Sequence, residues 1–302
     1  MKRIIALLLL PLLLVGCSPA EGKSSMSSSL DSEETPRAKV VVLAGQSNME
    51  GNSWSSYLSK HYTTSQIDEY INGYSTSKIV WNDSWGNFKN ISPYVDVKLG
   101  QGTDENHFGP ELAIAQTIDK AHRGETIYFI KFGWGGSNLI NQWRSPSSGA
   151  TGPLWTEFIS FVKDSLAILK FKGLDPQICA LCWMQGESDS DTVDVANQYY
   201  GRLSNFVKDF RSEFEAYTYG PGIGFVDAYI SNSIAWAQYK IINEAKQKFA
   251  DEDILNVAID TIALNLSFMS EPYYNVDIYH YDSDGMIGLG TAFGNALLEY
   301  FI

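Results

Sequence analysis

From residue 39 onward one pattern recurs: a short β-branched or aromatic run, then a longer stretch with helical spacing. Runs at 39–44, 126–132, 177–184, 222–229 and 254–260 predict core strands. Several are near-continuously apolar, as strands covered on both faces are. Stretches 110–122, 155–170, 192–214, 234–249 and 287–300 repeat apolar residues every three or four positions and predict helices. In the third, Ala196, Tyr199, Tyr200, Leu203, Phe206, Val207, Phe210 and Phe214 share one face. In the last, Leu289, Phe293, Ala296, Leu297 and Tyr300 do the same. Alternating strands and helices predict an α/β domain, a parallel sheet with helices on both faces. Residues 51–109 are polar and aromatic with little period, and predict a long loop region over one end of the sheet.

The first 37 residues follow other rules. Lys2 and Arg3 precede an apolar run at 4–15, too short to span a bilayer comfortably. Leu14-Val15-Gly16-Cys17 follows, an ending that resembles the bacterial lipobox. The expectation is a lipoprotein signal peptide at 1–16, with Cys17 becoming the lipidated first residue. Residues 17–37, rich in Ser, Glu and Gly, form a flexible tether, and 38–302 form the folded domain. That lipid is the only membrane anchor the sequence predicts. The protein is then an exported bacterial lipoprotein, held at the cell surface or in the periplasm.

Composition narrows the functions. With 22 Lys plus Arg against 35 Asp plus Glu, the formal net charge is -13. No basic footprint exists to displace phosphate counterions, which excludes a nucleic-acid binder. Three cysteines are too few for a disulfide scaffold. Cys179 and Cys182 read as C-x-x-C, but they lie within a predicted strand, where i and i+3 face opposite ways. They predict buried apolar thiols rather than a redox pair or zinc site.

In such a sheet ligands bind at the carboxyl ends of the strands, and the unusual residues fall there. The first strand ends in Gly45-Gln46-Ser47-Asn48-Met49-Glu50-Gly51. A serine in such a turn suits a nucleophile, although Met49 replaces the second glycine of a G-x-S-x-G elbow. A helix-capping serine reads equally well. The second strand runs into Gly133-Trp134-Gly135-Gly136-Ser137-Asn138, a turn that lets backbone approach a ligand. No Gly-Lys-Ser/Thr follows, so it is not a phosphate loop. After the third strand comes Gln185-Gly186-Glu187-Ser188-Asp189; calcium binding by its acidic continuation to Asp194 lacks a defensible loop pattern.

A serine needs a base, and the chain has four histidines. His122 ends a polar helix face, and His61 and His107 lie in the irregular region. His280, in Asp277-Ile278-Tyr279-His280, follows the last strand. An Asp three residues earlier can turn back to Nδ1 and aim Nε2 at the serine. Glu187 is a possible second acid for the same imidazole.

Together, GQSNM at 45–49, GGSNL at 135–139, WMQGESD at 183–189 and DIYH at 277–280 resemble the sialate O-acetylesterase and acetylxylan esterase branch of the SGNH (GDSL-like) hydrolases. The Gly109-Pro110-Glu111-Leu112 helix start is similar too. The resemblance implies a three-layer α/β/α sandwich with a flavodoxin-like sheet. It implies Ser47 as nucleophile, His280 as base and Asp277 as its partner. It implies oxyanion donors from the Ser47 and Gly136 backbone and the Gln185 side chain, where the wider superfamily has Asn. Ser137-Asn138 departs from the family's frequent Thr-Ser and leaves the substrate contacts there open. The implied activity is removal of O-acetyl groups from carbohydrates, polysaccharide or sialic acid, with no metal or organic cofactor. The competing reading is a non-catalytic surface lipoprotein that binds carbohydrate on the same fold.

Overall fold

The run Arg37–Gly45 forms β1, and from Ala38 inward its apolar side chains are buried on both faces. A one-turn helix α1 (Ser47–Glu50) and a short strand β2 (Ser53–Trp54) follow. Then come α2 (Thr64–Asn72), β3 (Tyr74–Trp81), β4 (Val95–Val97), β5 (His107–Phe108), α3 (Glu111–Lys120) and β6 (Ile127–Gly133). The second half runs α4 (Pro153–Phe171), β7 (Asp175–Met184), α5 (Val193–Ala196), α6 (Tyr199–Glu213), β8 (Gly224–Ala228), α7 (Tyr239–Ala250), β9 (Asn256–Ile259) and α8 (Ser283–Tyr300). This computed structural model describes residues 35–83, 85–89, 93–121 and 124–302. Cys17, most of the expected tether and His122 lie outside the described residues.

Among the described residues, seven strands form one sheet in the order β4-β3-β6-β1-β7-β8-β9, in which β4 is antiparallel and the others are parallel. Setting aside β3 and β4, the order of appearance is 2-1-3-4-5, the flavodoxin-like arrangement. Strand order reverses beside β1, so the switch point lies above the ends of β1, β6 and β7. Helices α3 and α8 pack together, and α4, α6 and α7 form a second group. Trp143, Phe158, Trp183, Phe206 and Phe210 interlock edge-on and stacked where α4 and α6 meet the sheet. Fully burying each such ring contributes on the order of 2–3 kcal/mol before entropy is counted. Among the described residues, no helix is long and apolar enough to cross a membrane.

The structure corrects the expected loop region at 51–109. It holds α2 and a full strand, β3, paired in parallel with β6. The start of α2 is a capping box, in which the Thr63 side chain accepts from Gln66 N–H and Gln66 returns to Thr63 N–H. The expected single helix at 192–214 is also divided. Thr192 caps α5, which ends at Ala196 before α6 begins at Tyr199. The apolar face survives the break, except that Tyr200 remains partly exposed under the Lys248 ammonium. Helix α7 begins five residues later than expected, leaving Ile234 exposed in the preceding loop.

Candidate active site

The turn after β1 is built by a close crossing of two strand ends. Gly45 has φ 152°, and a Cβ there would lie 2.0 Å from Met184 O, so only glycine fits. The next residue locks the crossing, with Gln46 N–H donating to Met184 O at 2.9 Å. The N–H groups of Met49 and Glu50 both reach Gln46 O at 2.8 Å, closing α1 and lifting Ser47 to its start. Ser47 is 9% exposed. Beside it, Gly135 N–H donates to Glu50 Oε2 at 2.9 Å, which draws the loop after β6 against the serine turn. Gly136 is exposed, with φ 65°. Among the described residues, the backbone N–H groups of Ser47 and Gly136 and the Ser47 hydroxyl have no hydrogen-bond partner.

The second part of the site is the loop between β9 and α8. His280 Nδ1 and Asp277 Oδ2 are 2.6 Å apart, and Asp277 Oδ1 accepts the N–H groups of Tyr279 (2.7 Å) and His280 (3.3 Å). Burial alone would raise the Asp277 carboxyl, but the bonds from the His280 ring and these backbone N–H groups outweigh it and hold it below its ordinary value. The loop is pinned at its base. Asp282 accepts from Ser270 N–H and Glu271 N–H, and buried Glu271 accepts from Ser283 N–H at 2.7 Å. Ser233 Oγ donates to Ile278 O at 2.5 Å from the far side. His280 Nε2 has no partner among the described residues.

Beneath these two parts lies a buried polar network that binds the loops together. Glu187 is wholly buried; its Oε1 accepts from Asn48 Nδ2 at 2.8 Å. With the Gln46 amide turned so that its nitrogen faces acceptors, that nitrogen reaches Glu187 Oε2 at 3.1 Å. Burial raises the Glu187 carboxyl above its ordinary value, against the bond from Asn48. Glu187 has no bond to the His280 ring among the described residues, so the two competing acids occupy different places. Asp189 accepts from Leu139 N–H (2.7 Å), Ile140 N–H (3.0 Å) and Gln185 Nε2 (2.6 Å). Gln185 Nε2 also donates to Ser137 O at 3.1 Å. The side-chain oxyanion donor expected at Gln185 is therefore engaged elsewhere: both of its N–H groups have internal acceptors, and the residue is wholly buried.

The remaining expected residues support the scaffold. His61 Nε2 faces Glu271 Oε1 at 3.0 Å, at the base of the His280 loop. His107 pairs with Asp104 and packs against the Trp54 ring. Ser137 is buried and accepts from Trp143 Nε1, while Asn138 Oδ1 accepts from Asn141 N–H. Both build the turn's underside. Cys179 and Cys182 are buried free thiols, and burial pushes Cys179 up to about 12.

Asn48, Glu50 and Lys131 were not singled out from the sequence. Lys131 Nζ pairs with Glu111 at 2.9 Å, both buried, and also donates to Glu50 O and Gln101 O. The signal for this pair was a lysine inside an otherwise apolar strand. Asn48 gave none, because its partners are far off in sequence.

A flavodoxin-like α/β/α sandwich with a serine turn, a paired His-Asp and free backbone N–H groups above the sheet's switch point defines a hydrolase-type architecture. Residues 37–299 match the family described as "Carbohydrate esterase, sialic acid-specific acetylesterase", and the chain belongs to that family. It is thus a carboxylic ester hydrolase that removes O-acetyl groups from carbohydrates. No curated protein matches by sequence. Solved structures share the fold. A protein from Arabidopsis thaliana is 18% identical with TM-score 0.60, over 88% of this chain and all of that one. NanS is 16% identical with TM-score 0.60, over 88% of this chain and 98% of its own. A carbohydrate acetylesterase from Xanthomonas citri is 13% identical with TM-score 0.56, over 87% of this chain and 56% of that one.

Proposed function

We propose that the chain hydrolyses carbohydrate O-acetyl esters through Ser47, His280 and Asp277. Ser47 Oγ attacks the acetyl carbonyl as His280 Nε2 takes its proton. The tetrahedral oxyanion is met by the N–H groups of Ser47 and Gly136. Each such donor is worth on the order of 3–4 kcal/mol in comparable sites. His280 then gives its proton to the sugar oxygen, which leaves as the alcohol. Water, deprotonated by His280, attacks the acetyl-serine and releases acetate. Asp277 holds the imidazole tautomer and stabilises its cation.

The observation that carries this reading is the 2.6 Å contact between Asp277 and the Nδ1 side of His280, which leaves Nε2 for the substrate side. The test is acetate release from a chromogenic acetyl ester by the wild type and by His280→Ala, with Ser47→Ala as the blank. Turnover no higher than the blank would support the carbohydrate-binding reading instead. The family description favours O-acetyl sialosides as substrate over acetylated xylan. Assaying both ranks them.

The N-terminal reading is proposed with it: Cys17 is lipidated after removal of 1–16, and 17–37 tether the domain to a membrane at the cell surface or in the periplasm. Mass spectrometry of the mature N-terminus tests this, and an unmodified terminus elsewhere would contradict it.

A further inference from the structure

Three residues in a row, Gln46, Ser47 and Asn48, form the serine turn, and the two amides that flank the serine converge on one carboxylate. Asn48 Nδ2 is 2.8 Å from Glu187 Oε1, and the Gln46 amide nitrogen is 3.1 Å from Glu187 Oε2. Asn48 does more than hold Glu187. Its Oδ1 accepts from Tyr281 N–H at 3.2 Å, and its Nδ2 also approaches Tyr279 O at 3.4 Å. One side chain therefore grips the backbone on both sides of His280 while sitting next to Ser47 in the chain.

We propose that Asn48 is a positioning residue that fixes His280 relative to Ser47, and that Glu187 is the buried anchor that sets the Asn48 amide. The inference rests on the esterase reading above. It gives Glu187 a role distinct from that of Asp277. Asp277 sets the ring's tautomer, and Glu187 acts on the loop through Asn48.

The chemistry selects an amide at 48. The position needs a donor toward Glu187 and Tyr279 O and an acceptor toward Tyr281 N–H, on a side chain of this length. Aspartate keeps the acceptor and loses the donor, and alanine loses both. The donor bond to Glu187 is buried, and with the amide gone the bonds to Tyr279 O and from Tyr281 N–H go too, which frees the His280 loop. A misplacement of about 1 Å between base and nucleophile costs on the order of a hundredfold in rate.

The experiment uses the full chain and a chromogenic acetyl ester, with Ser47→Ala as the blank. Asn48→Ala lowers kcat by about 10- to 100-fold and changes KM by less than about threefold, because the loss is in alignment rather than in substrate contact. Hydrogen exchange of the peptide covering 277–281 becomes faster in the same variant. Asn48→Asp supplies a second, distinct signature. It sets a carboxyl against Glu187, a site on which the charges of His280 and Lys246 also act. Two carboxyls in one site retain a proton to higher pH than either alone. That shared proton replaces the lost donor, so Asn48→Asp recovers toward wild type as pH falls, whereas Asn48→Ala does not. The clamp is overturned if Asn48→Ala keeps kcat within about threefold, if exchange at 277–281 is unchanged, or if Asn48→Asp loses the same factor at every pH. Wild-type turnover no higher than the blank would instead overturn the esterase reading, and the exchange measurement would still decide the clamp.

Discussion

Asp277 and Glu187 carry the same group and differ only in what the fold puts against them. Asp277 faces an imidazole nitrogen and two backbone N–H groups, which keep it ionised. Glu187 faces two neutral amides in a wholly buried site. In the proposed mechanism, Asp277→Asn therefore lowers kcat by about 10³- to 10⁴-fold, as when the orienting acid of a triad is neutralised. Glu187→Gln keeps an acceptor for Asn48 and is the milder change by at least about tenfold, a barrier difference of about 1.4 kcal/mol. Steady-state kinetics on the two variants decides between them, and the reverse order would return the orienting role to Glu187. The local part of this site was legible in the sequence. Ser47 lies in a strand-end turn, and Asp277 lies three residues before His280, so chain geometry alone brings each motif together. Asn48 was not legible, since its value depends on Glu187, Tyr279 and Tyr281 arriving from two other loops. The bonds of the Gln185 amide were not legible either, since Asp189 and Ser137 O reach it only in the folded chain.

At the scale of elements, the strands nearest the site were legible because β1, β6 and β7 are apolar on both faces. Strand β3 escaped because it mixes Ser75, Thr76, Ser77 and Lys78 with only a short apolar end, although Ser77 is fully buried. The box formed by Thr63 and Gln66 is the sequence signal for the preceding helix. The elements around the serine turn are joined by Lys131 of β6, which links Glu111 at the start of α3 to the carbonyls of Glu50 and Gln101. Replacing Lys131 with Met leaves the Glu111 carboxylate buried without its partner. Such a loss destabilises by about 3–5 kcal/mol. Urea unfolding of Lys131→Met should show it as a lower midpoint at unchanged slope. A loss under about 1 kcal/mol would mean that water or a neighbour replaces the ammonium.

The whole molecule carries a net charge of -13 and yet buries several carboxyls near its functional end. Burial raises Glu187 and Asp189, and pushes Asp227 up to about 6 despite its pair with Lys246. A carboxyl raised by folding contributes stability that is complete below its ordinary value and is lost as pH rises through the folded value. Asp277 and Asp209 are lowered, and their contribution has the opposite sign: present above the ordinary value near 3.8 and lost below it. The two sets place the maximum in thermal stability near about pH 4. The melting temperature should therefore fall as pH rises from about 4 through about 6, where repulsion among surface carboxylates adds to the trend. A melting temperature that rises over that interval would contradict the assignment of these buried acids. Activity decides the larger question. The most direct measurement is acetate release from an O-acetylated carbohydrate by the intact protein and by Ser47→Ala, under identical conditions. The account predicts steady turnover by the wild type and a loss of about four orders of magnitude or more in the variant. Turnover by Ser47→Ala near the wild-type rate would contradict it, and the nucleophile would have to be sought elsewhere.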